Sequence, residues 1–247
     1  MCCRYLLDRE HLAEVLTRLG LRLPDDSLFR TRYNIPPGGP VETVRLRPHR
    51  QPGEPSEREH TSLHWGLIPS WARERKGFGA TLANARAETI TDKPVFRAAW
   101  RRAQRCVIPA SGFFEWQKLG KARHPWLFRL TDGHPFCFAG LWEAWRDPLD
   151  RVEVGSCTLI TTAPNELLAR IHDRMPVILD GAGAEAWLDP DQSDPAAVLQ
   201  PFPAERMTAT PLIPRVNSTA NDDEMCLTPA PIPVSSGPSG EQLGLGF

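Results

Sequence analysis

Apolar residues recur at helical spacing early in the chain. Leu12, Val15, Leu16 and Leu19 share one face of a predicted helix over residues 9–20, and Gly20 supplies its stop. After that the period shortens. Residues 41–46 and 61–66 read as strands on either side of a polar, proline-bearing stretch over 47–60, which predicts a surface loop. A short helix is expected over 94–103. Strands are expected over 104–109, 112–117, 125–131, 135–144 and 153–162. Pro164, Asn165 and Glu166 are expected to open a helix that carries Leu167, Leu168 and Ile171 and ends before His172. Residues 183–188 predict a further short helix, and 195–200 offer another. Strands crowd the middle of the chain without alternating with helices, which excludes a doubly wound sheet and predicts one α+β domain over residues 1–226. From about Leu227 the chain turns to Pro229, Pro231, Pro233, Gly237, Pro238 and Gly240, so residues 227–247 are expected to form a disordered tail.

Composition narrows the class. The 247 residues are 41% hydrophobic and 24% charged, as in an ordinary globular domain. No apolar run approaches the ~20 residues of a membrane helix. The first residues, Met1 to Asp8, are too short and too charged a segment for a secretory signal, so a cytoplasmic protein without a membrane partner is expected. The six cysteines (2, 3, 106, 137, 157 and 226) show neither Cys-x-x-Cys nor a zinc-like Cys/His spacing, and neither a metal nor another cofactor is expected. Cys106, Cys137 and Cys157 lie in apolar runs and read as buried thiols. The net charge of −1 excludes a strongly basic protein. Positive charge is instead local, at Arg97, Arg101, Arg102 and Arg105 and at Arg73, Arg75 and Lys76. Such runs suit a basic groove for nucleic acid, and equally a solvated helix face.

Cys2 has chemistry that an internal cysteine lacks. A small residue at position 2 permits removal of Met1, which leaves an α-amine and a thiol on adjacent carbons. Their ordinary pKa values, ~7.7–8 and ~8.5, give both a nucleophilic fraction near neutral pH. The amine condenses with an aldehyde to an imine, and the thiolate then closes a five-membered thiazolidine. The ring-opened sugar of an abasic site is such an aldehyde. Alone, position 2 is more often an inert terminus.

Further blocks accompany it: Arg32-Tyr33-Asn34-Ile35-Pro36-Pro37, Trp65 to Trp71, Asn84-Ala85-Arg86-Ala87-Glu88-Thr89, Arg105 to Trp116, and Ile171-His172-Asp173-Arg174-Met175-Pro176. With Met1-Cys2-Cys3-Arg4 and in this order, they resemble the SRAP (SOS response-associated peptidase) family of abasic site processing proteins. The resemblance runs from residue 2 to about Asn217. It implies an SRAP-like domain with twisted, mainly antiparallel sheets in a barrel-like core flanked by short helices. It also implies covalent capture of abasic sites in single-stranded DNA by Cys2, with reversal and a lyase side activity.

The resemblance implies roles residue by residue. Glu115 and His172 are expected to move protons beside Cys2, and Asn84 to hold the opened sugar. Glu115 between Phe114 and Trp116 reads alternatively as a solvent-facing strand position, and His172 as a structural surface histidine. Asn84 and Arg86 share a face if their segment is extended, and a guanidinium there suits a phosphate. Arg4 and Arg174 are further candidates for DNA contact. Asn34 reads either as a pocket residue or as a turn residue before the two prolines. Pro36, Trp65 and Trp71 resemble the family's apolar elements that stack on or wedge between bases; core packing is the other reading, more so for Trp65 than for Trp71. Cys3 departs from the glycine usual in the family and adds bulk beside the reacting centre. Two other classes stay open: a cysteine peptidase with Cys2 as nucleophile and His172 as base, and a non-covalent single-strand-binding module. The last six residues, with Gln242, Leu243, Leu245 and Phe247, look like the peptide that bacterial proteins use to dock on the DNA sliding clamp. A monomer, nucleoid-associated when on DNA, is expected.

Overall fold

The computed structural model describes residues 4–24, 27–47, 57–75, 78 and 80–233. Its elements in chain order are β1 (Tyr5–Leu7), α1 (Arg9–Arg18), β2 (Arg32–Ile35), β3 (Pro40–Leu46), β4 (Arg58–Trp65), β5 (Asn84–Arg86) and α2 (Pro94–Arg101). There follow β6 (Arg105–Ala110), β7 (Gly112–Leu119), β8 (Ala122–Leu130), β9 (Phe136–Arg146), β10 (Glu153–Thr162), β11 (Met175–Pro176), β12 (Ile178–Leu179), α3 (Gly181–Leu188) and β13 (Met207–Pro211). The helix predicted over 9–20 forms because Asp8 caps it by accepting from the His11 backbone N–H, and because Gly20 ends it at a φ of +75° that favours glycine.

Five strands close a barrel. In the order β10–β4–β3–β6–β9 each pairs with the next, and β9 pairs back with β10. Only the β10–β4 seam is parallel; the other four are antiparallel. The mixed α+β architecture with a barrel-like core is therefore the one the sequence predicts. A second sheet, in the order β13–β8–β7–β1–β2, is antiparallel throughout. The chain passes from barrel to second sheet at Ser111, whose N–H donates to the Leu6 carbonyl while its hydroxyl accepts from the Asp8 N–H.

Both faces of that second sheet are covered, which decides the environment of β7. One face packs on the barrel through Tyr5, Leu7, Phe113, Phe128 and Leu130. The other, through Leu6, Phe114 and Leu127, packs on Leu212, Val216 and Cys226 from the chain after β13. A strand covered on both sides loses the in–out alternation of burial, and residues 112–115 are buried without a break. Gly112 is required here: a Cβ would lie 2.9 Å from the Phe128 carbonyl oxygen and 3.0 Å from a Leu6 methyl. Cys106, Cys137, Cys157 and Cys226 are all buried free thiols.

Three expectations are corrected. The helix expected after Pro164 is only a single turn, Leu168–Arg170. Asn165 accepts from the Leu168 N–H and donates to the Phe202 carbonyl. The chain must then be extended by Met175 to pair with Thr162, so the return from β10 to β11 leaves room for one turn. Nor does the chain leave the body at 226. Thr228 accepts from the Ile213 N–H, Ala230 donates to the Pro211 carbonyl, and Leu212 bridges Pro229. The short helix expected over 195–200 is likewise a 3-10 turn, Pro195–Val198.

Candidate active site

A cleft of about 620 Å³ opens beside β7. Arg4 enters it from the start of β1, and Glu115, Trp116 and Lys118 from β7. Arg123 comes from β8, Ile171, His172 and Asp173 from the turn after β10, and Asn217 from the covering segment. The Phe114 N–H donates to the Arg4 carbonyl, which fixes the first described residue of the chain against the strand that carries Glu115.

Glu115 is 2% exposed, so the solvent-facing reading gives way. A carboxylate withdrawn from water favours its neutral form. Burial, helped by repulsion from Asp173, pushes the Glu115 carboxyl up to about 7. His172 Nε2 lies 3.9 Å from its Oε2. Burial also holds the His172 imidazole below its ordinary range. The Arg174 backbone N–H points at His172 Nδ1 at 3.1 Å. A backbone amide does not give up its proton, so Nδ1 accepts and the ring proton sits on Nε2, the atom facing Glu115. The exposed Asp173 carboxylate, 3.0 Å from Nδ1, would favour the opposite tautomer; the amide contact, fixed in the main chain, outweighs it. The result is a neutral imidazole and a carboxyl poised near neutrality, just beyond direct hydrogen-bond reach. A reacting atom between them is within reach of both.

The other predicted residues separate into three groups. Asn84 and Arg86 do share a face of extended chain: β5 runs parallel to β10, with Asn84 half-buried, Ala85 buried and Arg86 exposed. Trp71 is 55% exposed and meets Phe78 edge-on at 5.9 Å, and Pro36 is half-buried after β2. Cys2, Cys3 and the Gln242, Leu243, Leu245 and Phe247 motif lie outside the described residues.

The third group makes contacts within the protein. Trp65 is 1% exposed, donates to the Ala83 carbonyl and meets Tyr5 edge-on at 5.5 Å, so it belongs to the core. Arg174 forks onto both Glu88 oxygens and donates to the Thr161 carbonyl, so its guanidinium ties the His172 turn to β10. Asn34 is fully buried and aims its amide at the carbonyls of Val216, Ser218 and Asn221, while its oxygen accepts from Arg4. Arg4 also donates to the Val216 carbonyl and lies 5.5 Å over the Trp116 ring, so it is at once cleft wall and tie. Asn34→Ala orphans several buried carbonyls and is expected to lower the urea-unfolding free energy by about 2–3 kcal/mol. A variant as stable as the parent would mean that the 216–221 segment is held by other contacts.

Pattern reading missed Trp116 and Asn217, which are joined by a 2.6 Å bond from the indole N–H, and also Lys118 and Arg123. The signal for the last two was the Gly120 turn, which makes them neighbours across a hairpin.

Fold and cleft together define a mixed β-barrel protein with a polar cleft in which a buried carboxyl faces an imidazole. The family model of the SOS response associated peptidase (SRAP) matches residues 1–219, and the chain belongs to that family. It is 37% identical over 228 residues to the abasic site processing protein YoqW of Bacillus subtilis (strain 168), covering 90% of this chain and 96% of that one. It is 31% identical over 229 residues to the abasic site processing protein HMCES of Gallus gallus, covering 83% and 68%. A crystal structure of a protein from Bacteroides thetaiotaomicron superposes with a TM-score of 0.75 at 28% identity, covering 93% of this chain and 100% of that one. No described helix is long and apolar enough to cross a membrane.

Proposed function

We propose that this protein captures abasic sites in single-stranded DNA covalently through Cys2, after removal of Met1. The observation that carries the reading is the buried Glu115 carboxyl, held near neutrality 3.9 Å from a neutral His172. Cys2 is two residues from Arg4, a span of at most ~7 Å of chain, and Arg4 lines the same cleft. The Glu115 carboxylate accepts the proton of the Cys2 ammonium. The freed amine adds to the aldehyde of the ring-opened sugar to give a carbinolamine. Glu115, now protonated, returns that proton to the departing hydroxyl, and water leaves as the imine forms. The thiolate then adds to the carbon of this protonated imine and closes the neutral ring, the nitrogen keeping its proton and the thiol's proton passing to solvent. One water is lost overall.

His172 serves the same atoms. Its Nε2–H hydrogen-bonds the developing oxygen of the sugar and moves protons when the adduct opens again. The imine also acidifies the adjacent C2′ hydrogen, so strand cleavage by elimination is a side reaction that ring closure suppresses. Asn84 positions the opened sugar, Arg86 pairs with a phosphate, and Trp71 and Pro36 offer apolar surface to bases. The family names of the relatives support this substrate.

The test is incubation with single-stranded oligonucleotides that carry one abasic site or none, followed by a denaturing gel. A retarded band that requires the lesion is expected. Binding that never survives denaturation would reduce the protein to a non-covalent module, and peptide hydrolysis blocked by thiol alkylation would favour a peptidase.

The tail adds a partner. Gln242 supplies an amide, and Leu245 and Phe247 supply apolar anchors, for a groove on the bacterial sliding clamp. Deleting residues 242–247 is expected to abolish retention on immobilised clamp. Equal retention by the intact and the truncated protein would contradict it.

A further inference from the structure

β7 and β8 form a hairpin whose register sets Lys118 directly opposite Arg123. Like charges facing each other across a strand pair repel. Within the hairpin no carboxylate relieves it: residues 116–131 contain Lys118, Lys121, Arg123 and Arg129 and no acidic residue. Neither Lys118 nor Arg123 forms an ion pair among the described residues. Both are exposed, and both line the cleft that holds Glu115 and His172. The hairpin is also held against the His172 turn, because Gln117 donates to the Arg170 carbonyl. A net charge of −1 over the whole chain makes this concentration a local feature rather than a general basicity.

The geometry points to a phosphate clamp: Lys118 and Arg123 together hold one backbone phosphate of the strand as it leaves the cleft beside the reacting nucleotide. A phosphodiester lying between the two cations turns their mutual repulsion into two attractions. Lysine supplies a point charge and arginine a forked donor. The contact reads no base, which suits a site that must accept a lesion in any sequence. This inference rests on the proposed reading of the cleft.

The test compares the double variant Lys118→Gln, Arg123→Gln with a control, Arg22→Gln, Lys93→Gln, which removes the same charge from exposed positions outside the cleft lining. Equilibrium binding of an intact single-stranded oligonucleotide, which needs no covalent chemistry, is measured across salt concentrations. The clamp variant is expected to bind roughly tenfold more weakly, with a salt slope reduced by about 0.7 for the one phosphate no longer neutralised, the control changing little. A series of oligonucleotides, each with one neutral methylphosphonate linkage, is then expected to weaken the parent at one linkage and the clamp variant at none further. Equal losses in both variants, or the same linkage dependence in clamp variant and parent, would overturn the clamp. The capture reading fails separately, if the parent leaves no lesion-dependent band on the denaturing gel.

Discussion

Cys2→Ser is expected to leave no adduct that survives denaturation, a loss of more than about a hundredfold, while an imine still forms and is trapped by borohydride. The amine is retained in this variant, so condensation with the aldehyde proceeds. The hydroxyl is a far weaker nucleophile than the thiolate, and the ring it would close is less stable. The imine therefore returns to free protein or proceeds to strand cleavage. Gels run with and without borohydride check this. A Cys2→Ser adduct as stable as the parent's would show that the sulfur takes no part. Loss of the borohydride-trapped species as well would show that the amine was never the nucleophile.

Glu115→Gln is expected to slow capture by about 10²–10⁴-fold and at the same time to stabilise the fold above neutrality. The amide keeps the shape but moves no proton. In the parent, capture rises with pH through about 7, as the Glu115 carboxylate becomes available. The variant keeps only the later rise of the free α-amine near ~8. The stability effect follows from the same burial. The folded carboxyl titrates at about 7 against an ordinary value of 4.5, so between those limits the folded state holds a proton that the unfolded state has lost. Stability is thus highest below the unfolded value and falls as pH rises to about 7, by roughly 3 kcal/mol in all. Glu115→Gln lacks that fall. Urea unfolding of both proteins at pH 5 and pH 8 checks it, with the variant gaining relative to the parent only at the higher pH. Parallel curves would mean that Glu115 titrates in its ordinary range and is no poised acid–base group.

The sequence disclosed the long elements and concealed the short ones, for a physical reason. α1, α2 and strands β6 to β10 each carry enough residues for a period to register. β1, β5, β11 and β12 have two or three residues and exist through their partners, as β5 does along β10. Alternation misleads at Glu115 because the second sheet is covered on both faces, a fact that depends on where Leu212 and Val216 return. The blocks around Asn34, Trp65 and Arg174 were visible, but their tasks were not. A buried amide tying a loop, an indole in a core and a guanidinium locked on Glu88 look in sequence like ligands for DNA. The Lys118–Arg123 rung lies outside the motif blocks and emerges only from strand register.

Covalent capture through Cys2 is measured most directly by intact mass spectrometry of the adduct with an abasic oligonucleotide, with and without borohydride, followed by peptide mapping. One protein lacking Met1 is expected to be joined to one oligonucleotide with the loss of one water. The link should map to the N-terminal peptide at Cys2, and the mass should be unchanged by borohydride, because a thiazolidine has no C=N bond to reduce. A gain of two hydrogens on reduction, a link at any other residue, or an adduct that retains Met1 would contradict it.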